Sequence, residues 1–190
     1  PAAAPATTSK RPSGQASASN PAKMPLASDA LPVLLSAVKA IEKHFAQANA
    51  PGATKSVETL GSDQKNKEIA VLVRGQLCTA LSRVLLHGFK SFKLIGRYHI
   101  WDFVQQSCDA THERRQASKQ YTAAELTLTS AVVDVNSHEG MANNPNIKFR
   151  SFVCCGLNHG LLHDWVRVLT DDEETMNKFY EAWAFVRATE

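Results

Sequence analysis

Cys155, His159 and His163 stand four residues apart in a stretch of helical periodicity. A continuous helix lines such residues up along one ridge, and a thiolate with two imidazoles is a ligand set that zinc accepts. Two physical facts argue against a metal there. A straight helix holds residues i and i+8 roughly 12 Å apart, too far to wrap one tetrahedral ion. The next member of the ridge is Arg167, a fixed cation that repels another. The ridge sits about 200° around the helix from the apolar row and reads as a polar face or a second interface.

Other chemistries leave signatures that this chain lacks. It has no glycine-rich phosphate loop ending in Gly-Lys-Ser/Thr, no G-x-G-x-x-G, no G-x-S-x-G and no H-E-x-x-H. His112–Glu113 opens like a zinc-protease motif but continues Arg-Arg-Gln, so the second histidine is missing. Nothing couples a nucleophile to a base, and the expectation is a non-enzymatic chain with no cofactor and no metal. One further group could bind something: Lys90, Lys93 and Arg97, interleaved with Phe89 and Phe92. Cations among aromatics either meet an acidic protein partner or form a solvated face over core rings.

Charge narrows the partners. The 190 residues carry 21 Lys+Arg against 18 Asp+Glu. The whole excess lies in Lys10, Arg11 and Lys23, so residues 29–190 balance to zero. That is no footprint for a polyanion, and nucleic acid is not expected as a partner. The apolar stretches fall short of the ~18–20 residues that cross a bilayer, so no transmembrane segment is expected. The N-terminus has no apolar signal core. Cys78, Cys108, Cys154 and Cys155 include no C-x-x-C pair, and bridging the adjacent two would be strained. Four buried, reduced thiols and a cytoplasmic location follow.

These residues need elements to hold them. Residues 1–27 are rich in Pro, Ala, Ser and Thr, without periodicity, and read as a disordered linker. The missing N-terminal Met suggests a fragment of a longer protein. Residues 28–190 read as the domain. Leu31, Leu34, Leu35, Val38, Ile41 and Phe45 mark one face of a first helix, capped at Ser28 or Asp29 and stopped by Pro51–Gly52. A second helix runs from about Asn66 to His87, its stripe Ile69, Val73, Leu77, Ala80 and Val84 widened by Leu72, Leu81 and Leu85, and Gly88 closes it. A third spans His99–Cys108, followed by exposed charged text over 109–121. Thr122-Ala-Ala-Glu125 is a capping-box pattern that starts a fourth, with helix favoured over strand for its β-branched body. After a loop at 136–146, the row Phe149, Val153, Leu157, Leu161, Trp165 and Leu169 predicts one helix from Ile147 to Leu169. Asp171–Asp172 opens a last one through Met176, Phe179, Tyr180, Trp183 and Val186. The fold class is all-α, a compact helical bundle of about six or more helices.

Several blocks resemble a known family. Leu77-Cys-Thr-Ala-Leu-Ser-Arg-Val-Leu-Leu-His-Gly-Phe-Lys-Ser-Phe92 is similar to the early block of RUN domains, where an apolar helix ends in a Gly-Leu-Lys-like triplet. Its start and finish, with His99-Ile-Trp-Asp-Phe-Val104, resemble the RUN-and-SH3 branch of adaptors (NESCA, iporin). Phe149-Arg-Ser-Phe152, Gly156-Leu-Asn158, Leu162, Trp165 and Phe179-Tyr180-Glu181 resemble later family blocks, in order, over about residues 66–190. The family continues with further helices, so part of the Trp183 side is expected to be uncovered. The resemblance implies a non-catalytic adaptor module that binds small GTPases of the Rab/Rap class or kinesin- and motor-associated proteins. It implies work in vesicle trafficking and neuronal signalling, with recruitment to vesicles or cytoskeleton through a partner. A structural, self-associating (homodimeric) scaffold is the alternative. Candidate partner-binding cations, chosen by charge and position, are Lys90, Lys93, Arg97, Arg150 and Arg167.

Overall fold

The computed structural model describes residues 27–48, 60–91, 96–138, 140 and 144–188. The expected linker, apart from Ala27, the Pro51–Gly52 stop and Lys93 lie outside the described residues. Helices are the only regular elements among those described: α1 (Ala27–Ala48), α2 (Leu60–Val71), a π-helical segment (Leu72–Leu77), α3 (Cys78–Leu86), α4 (Ile100–Ser118), α5 (Ala123–Ser137), α6 (Pro145–His159), α7 (Leu162–Leu169), α8 (Glu173–Phe179) and a 3₁₀ turn (Phe185–Arg187).

α1 forms as its periodicity predicts, but a different face turns inward. Ala30 and Ala37 are buried, and Ala37 packs with Val33, Leu34 and Ile41 against Leu77 and Ala80. Leu31, Leu35, Val38 and Phe45 remain exposed. The small side chains let the two backbones approach closely, and among the described residues that is the side of α1 that is covered.

α2, the π segment and α3 form one continuous helix that begins before the expected Asn66. The Cys78 N–H reaches back five residues to the Val73 carbonyl, which inserts an extra residue into the register. Thr79 and Ser82 hydroxyls donate to the Gly75 and Cys78 carbonyls at 2.6 and 2.8 Å. Leu77 and Ala80 of the expected stripe are sealed, joined by Cys78, whereas Val73, Leu81 and Leu85 are only partly covered. By length and composition alone, Gln64–Leu86 is apolar enough to cross a membrane, contrary to the sequence reading. Its central residues Leu77, Cys78 and Ala80 nonetheless belong to the protein core.

α4 continues to Ser118 rather than stopping at Cys108. The apolar signal fades there because the inner face switches to Ser107 and Thr111, both buried, with the Thr111 hydroxyl donating to the Ser107 carbonyl at 2.9 Å. Its start is a capping box: His99 Nδ1 accepts the Trp101 N–H, and Asp102 accepts the His99 N–H. Thr122 and Glu125 form the expected box on α5, which is helical despite its β-branched residues and buries Leu128, Ala131, Val132 and Val135.

The predicted single helix over 147–169 is two. Gly160 takes φ 67° and ends α6, so α7 folds back. The Leu161 N–H then closes on the Gly156 carbonyl at 3.0 Å. A Cβ on Gly156 would lie 2.9 Å from the Leu162 side chain and 3.0 Å from the Trp165 ring, so any larger residue would have to push these side chains aside. The last predicted helix also ends early, at Phe179. Tyr180 leaves it to make an isolated antiparallel bridge with Phe89, and Trp183 stays 53% exposed. Trp101, Phe103, Phe152, Trp165, Phe179 and Tyr180 make the aromatic centre of the core. The thiols are free; Cys78 and Cys108 are buried as expected, but Cys154 and Cys155 are only half-buried.

Glu125 is a buried carboxylate that serves two elements. It accepts the Thr122 N–H at 2.7 Å and the Arg115 guanidinium at 2.7–2.8 Å, tying α5 to α4. Burial pushes its carboxyl up, but the Thr122 amide and Arg115 outweigh this and hold it below the usual range. A group depressed in the folded state stabilises above its unfolded pKa, and that contribution is lost as pH falls through the folded value. Glu125→Ala is expected to cost about 1–3 kcal/mol near neutral pH. Chemical denaturation against pH checks it: the difference from wild type should shrink on acidification below about pH 4.

Candidate partner-binding surface

The structure separates the five candidate cations. Lys90 is half-buried and committed internally: its Nζ donates to the Asn177 carbonyl at 2.9 Å, near the C-terminal end of α8, where a cation is favourable. Its backbone N–H donates to the Phe179 carbonyl at 2.7 Å, and the Glu181 N–H returns to the Gly88 carbonyl at 2.8 Å. Lys93 lies outside the described residues. Arg97 is exposed beside the start of α4, Arg150 is exposed on α6 and Arg167 on α7. The expected Cys155–His159–His163–Arg167 ridge does not exist as one line, because Gly160 turns the chain between its second and third members. Among the described residues no three His, Cys, Asp or Glu side chains are grouped to hold a metal.

Residues 87–90 are a clasp for the C-terminal segment. His87 Nδ1 accepts the Phe185 N–H at 3.1 Å, its ring stacks on Phe185 at 3.8 Å, and Trp183 meets it edge-on at 5.0 Å. The Nε2 atom of His87 is buried without a hydrogen-bond partner. Gly88 has φ 71°, and a Cβ there would lie 2.6 Å from the Ala184 Cβ. The Gly-Phe-Lys triplet is therefore a closure device for the fold.

Arg150 lies on another surface, one the sequence did not single out. It shares a shallow cleft with Val71, Arg74, Gly75 and Thr79. Arg74 also borders an adjoining cleft of about 450 Å³ between α1, the π segment and α6, walled by Ile41, Phe45, Ile69, Val73, Cys154 and Leu157. Phe45, Val71 and Leu157 are exposed there. The result is an apolar trough with the Arg74 guanidinium on its rim and Arg150 in the cleft beside it. Periodicity hid it: Phe45 and Leu157 fall on stripes that predict burial, and the π insertion sets the residues around Arg74 and Gly75 off the regular helical register.

Cys154 sits in the wall of this trough. The Cys78 thiol donates to its sulfur and the Arg74 guanidinium faces it; together they outweigh burial and bring the Cys154 thiol down to about 6. The same hydrogen bond and burial push Cys78 far up. A different polar cleft, of about 790 Å³, separates α4 from α8 and is lined by Asp102, Asp109, Glu113, Asp172 and Glu174 among others. Its bases are engaged internally: Arg114 pairs with Asp171 at 2.8 Å, and Lys178 donates to Gln106.

A family model described as RUN domain matches residues 76–190. Small G protein signaling modulator 3 of Bos taurus and of Homo sapiens are each 33% identical over 154 residues, covering 71% of this chain. The Xenopus laevis homolog is 30% identical over 154 residues. The chain spans about a fifth (20%) of the length of these relatives.

Gly88→Ala tests the clasp. A left-handed backbone and a clash with Ala184 together are expected to cost about 2–4 kcal/mol, seen as a lower thermal midpoint. Gly96→Ala, at φ 92° with open space around its Cβ position, should cost only the backbone strain, about 1–2 kcal/mol.

Proposed function

Because the chain belongs to the RUN domain family, we propose that it is a non-catalytic interaction module of a small-GTPase-related adaptor. The observation that carries this reading is the apolar trough of Phe45, Ile69, Val73 and Leu157, with Arg74 on its rim and Arg150 in the adjoining cleft. Apolar anchors within a polar, cationic rim suit a protein partner whose facing surface is acidic at its edge. A balanced charge over residues 29–190 disfavours a polyanion in that place.

The relatives' printed name concerns small G proteins, which supports a small GTPase as the partner. The Rab/Rap class is our first choice, with motor-associated proteins second. On this reading the module works in the cytoplasm in vesicle traffic, neuronal signalling included, and reaches vesicles or cytoskeleton through what it binds. The finer assignment to the RUN-and-SH3 branch rests on the Leu77–Phe92 and His99–Val104 blocks and is part of the proposal. Of the five cations first considered, Arg150 is the best placed, with Arg74 added beside it; Lys93, Arg97 and Arg167 remain secondary candidates. A self-associating scaffold is the second reading, favoured by the exposed Leu31, Leu35 and Val38 on α1.

Calorimetric titration against Rab and Rap proteins loaded with a GTP analogue or GDP tests the proposal. Saturable, nucleotide-dependent binding is expected. Arg150→Glu should weaken it about tenfold, or about 1.4 kcal/mol, with the helical circular dichroism unchanged. An unaltered affinity moves the interface away from this trough. Light scattering over a concentration series separates the second reading: a mass that doubles on concentration, with no GTPase bound, favours the scaffold.

A further inference from the structure

We infer that Cys154 and Cys78 are a peroxide-responsive dithiol, in which Cys154 is the sulfur oxidised and Cys78 the thiol that resolves it into a disulfide joining the start of α3 to α6. The proposal goes beyond partner binding and does not need it, since the reacting groups belong to this chain alone.

The geometry distinguishes these two thiols from the others. Cys154 is half-buried and lines an open trough, so a small oxidant reaches it. Cys78 is 1% exposed and packs in the core with Phe149, Phe152 and Val153 of α6, its thiol hydrogen-bonding that of Cys154. Arg74 borders the same trough and hydrogen-bonds Cys154, placing a fixed positive charge where a thiolate forms. Arg150 on α6 acts on Cys78. A solvent-accessible, cation-paired thiolate with a second thiol beside it is the arrangement that redox-sensing cysteines use. Cys108 is buried and donates to the Thr129 hydroxyl at 3.7 Å. Cys155 is pushed up by burial and by Asp134.

The chemistry balances with hydrogen peroxide as the named oxidant. The Cys154 thiolate attacks one peroxide oxygen, the O–O bond breaks, and hydroxide leaves and is protonated to water, giving a sulfenic acid. The Cys78 sulfur then attacks the Cys154 sulfur and displaces hydroxide, which takes the Cys78 proton and leaves as a second water. Two thiols have lost two electrons in all, and one peroxide has become two waters. Closure also removes the thiolate that Arg74 faces.

The test uses the full chain and equimolar hydrogen peroxide, followed by non-reducing peptide mapping by mass spectrometry. The expected product is a Cys78–Cys154 cross-linked peptide pair about 2 Da lighter than the two free peptides, with Cys108 and Cys155 still free. In Cys78→Ser, dimedone should trap a sulfenic acid on Cys154 instead. A measurement without variants guards against misfolding: limiting iodoacetamide near neutral pH should label Cys154 severalfold faster than Cys155 or Cys108. Arg74→Gln should slow that labelling severalfold at about pH 7, the two rates converging at about pH 10. Oxidation or labelling that begins at Cys155 or Cys108, a Cys154–Cys155 bridge, or four thiols left intact overturns the proposal.

Discussion

The seating of Trp165 on Gly156 organises much of this bundle. The indole is fully buried, its ring lies 5.1 Å from Phe152 and its N–H donates to the Thr127 hydroxyl at 3.0 Å, so one side chain joins α5, α6 and α7. The approach is this close because residue 156 has no Cβ, and Gly160 takes a left-handed conformation that returns the chain. Once α7 folds back, Arg150 and Arg167 sit on separate elements, and a ridge of cysteine, histidines and arginine cannot form. The same packing decides which cations can act together.

A second constraint is the extra residue at Leu72–Leu77. π insertions cost regular hydrogen bonds, and here hydroxyls of Thr79 and Ser82 bond to carbonyls in and just after the segment. The gain is positional. Leu77 and Cys78 both turn into the core, while Arg74 and Gly75 stay at the surface beside α6. The trough, its guanidinium rim and the contact between Cys78 and Cys154 all border this segment. Partner binding and thiol chemistry, as proposed, would therefore occupy neighbouring parts of one surface.

Polar groups in this fold are largely used at home. Lys90 neutralises the end of α8, Arg115 and Glu125 fasten α4 to α5, and Arg114 holds the α8 entry through Asp171. An interleaved run such as Phe89-Lys90 is then clasp material: the Phe89 ring packs on Phe179 and Tyr180 while the ammonium closes a helix end. Exposed cations with apolar neighbours lie elsewhere, around Arg74 and Arg150.

Local rules determined the helical class, the capping boxes at Thr122 and the glycine stop at Gly88, because each depends on side chains within a turn of the backbone they serve. The family blocks were legible for the same reason, since they mark core faces and turns in chain order. Faces and lengths were decided by tertiary contact. α1 seats Ala37, with Val33, Leu34 and Ile41, on Leu77 and Ala80, and this leaves Leu31, Leu35, Val38 and Phe45 outside. α4 ran on past Cys108 because Ser107 and Thr111 are buried polar residues that periodicity counts as surface. A continuous apolar row from Phe149 to Leu169 could not reveal the break at Gly160, since both halves keep helical spacing while the turn changes only their direction. The meeting of Arg74, Cys78, Arg150 and Cys154 joins positions up to 80 residues apart, and only the packing of α6 against the π segment brings them together.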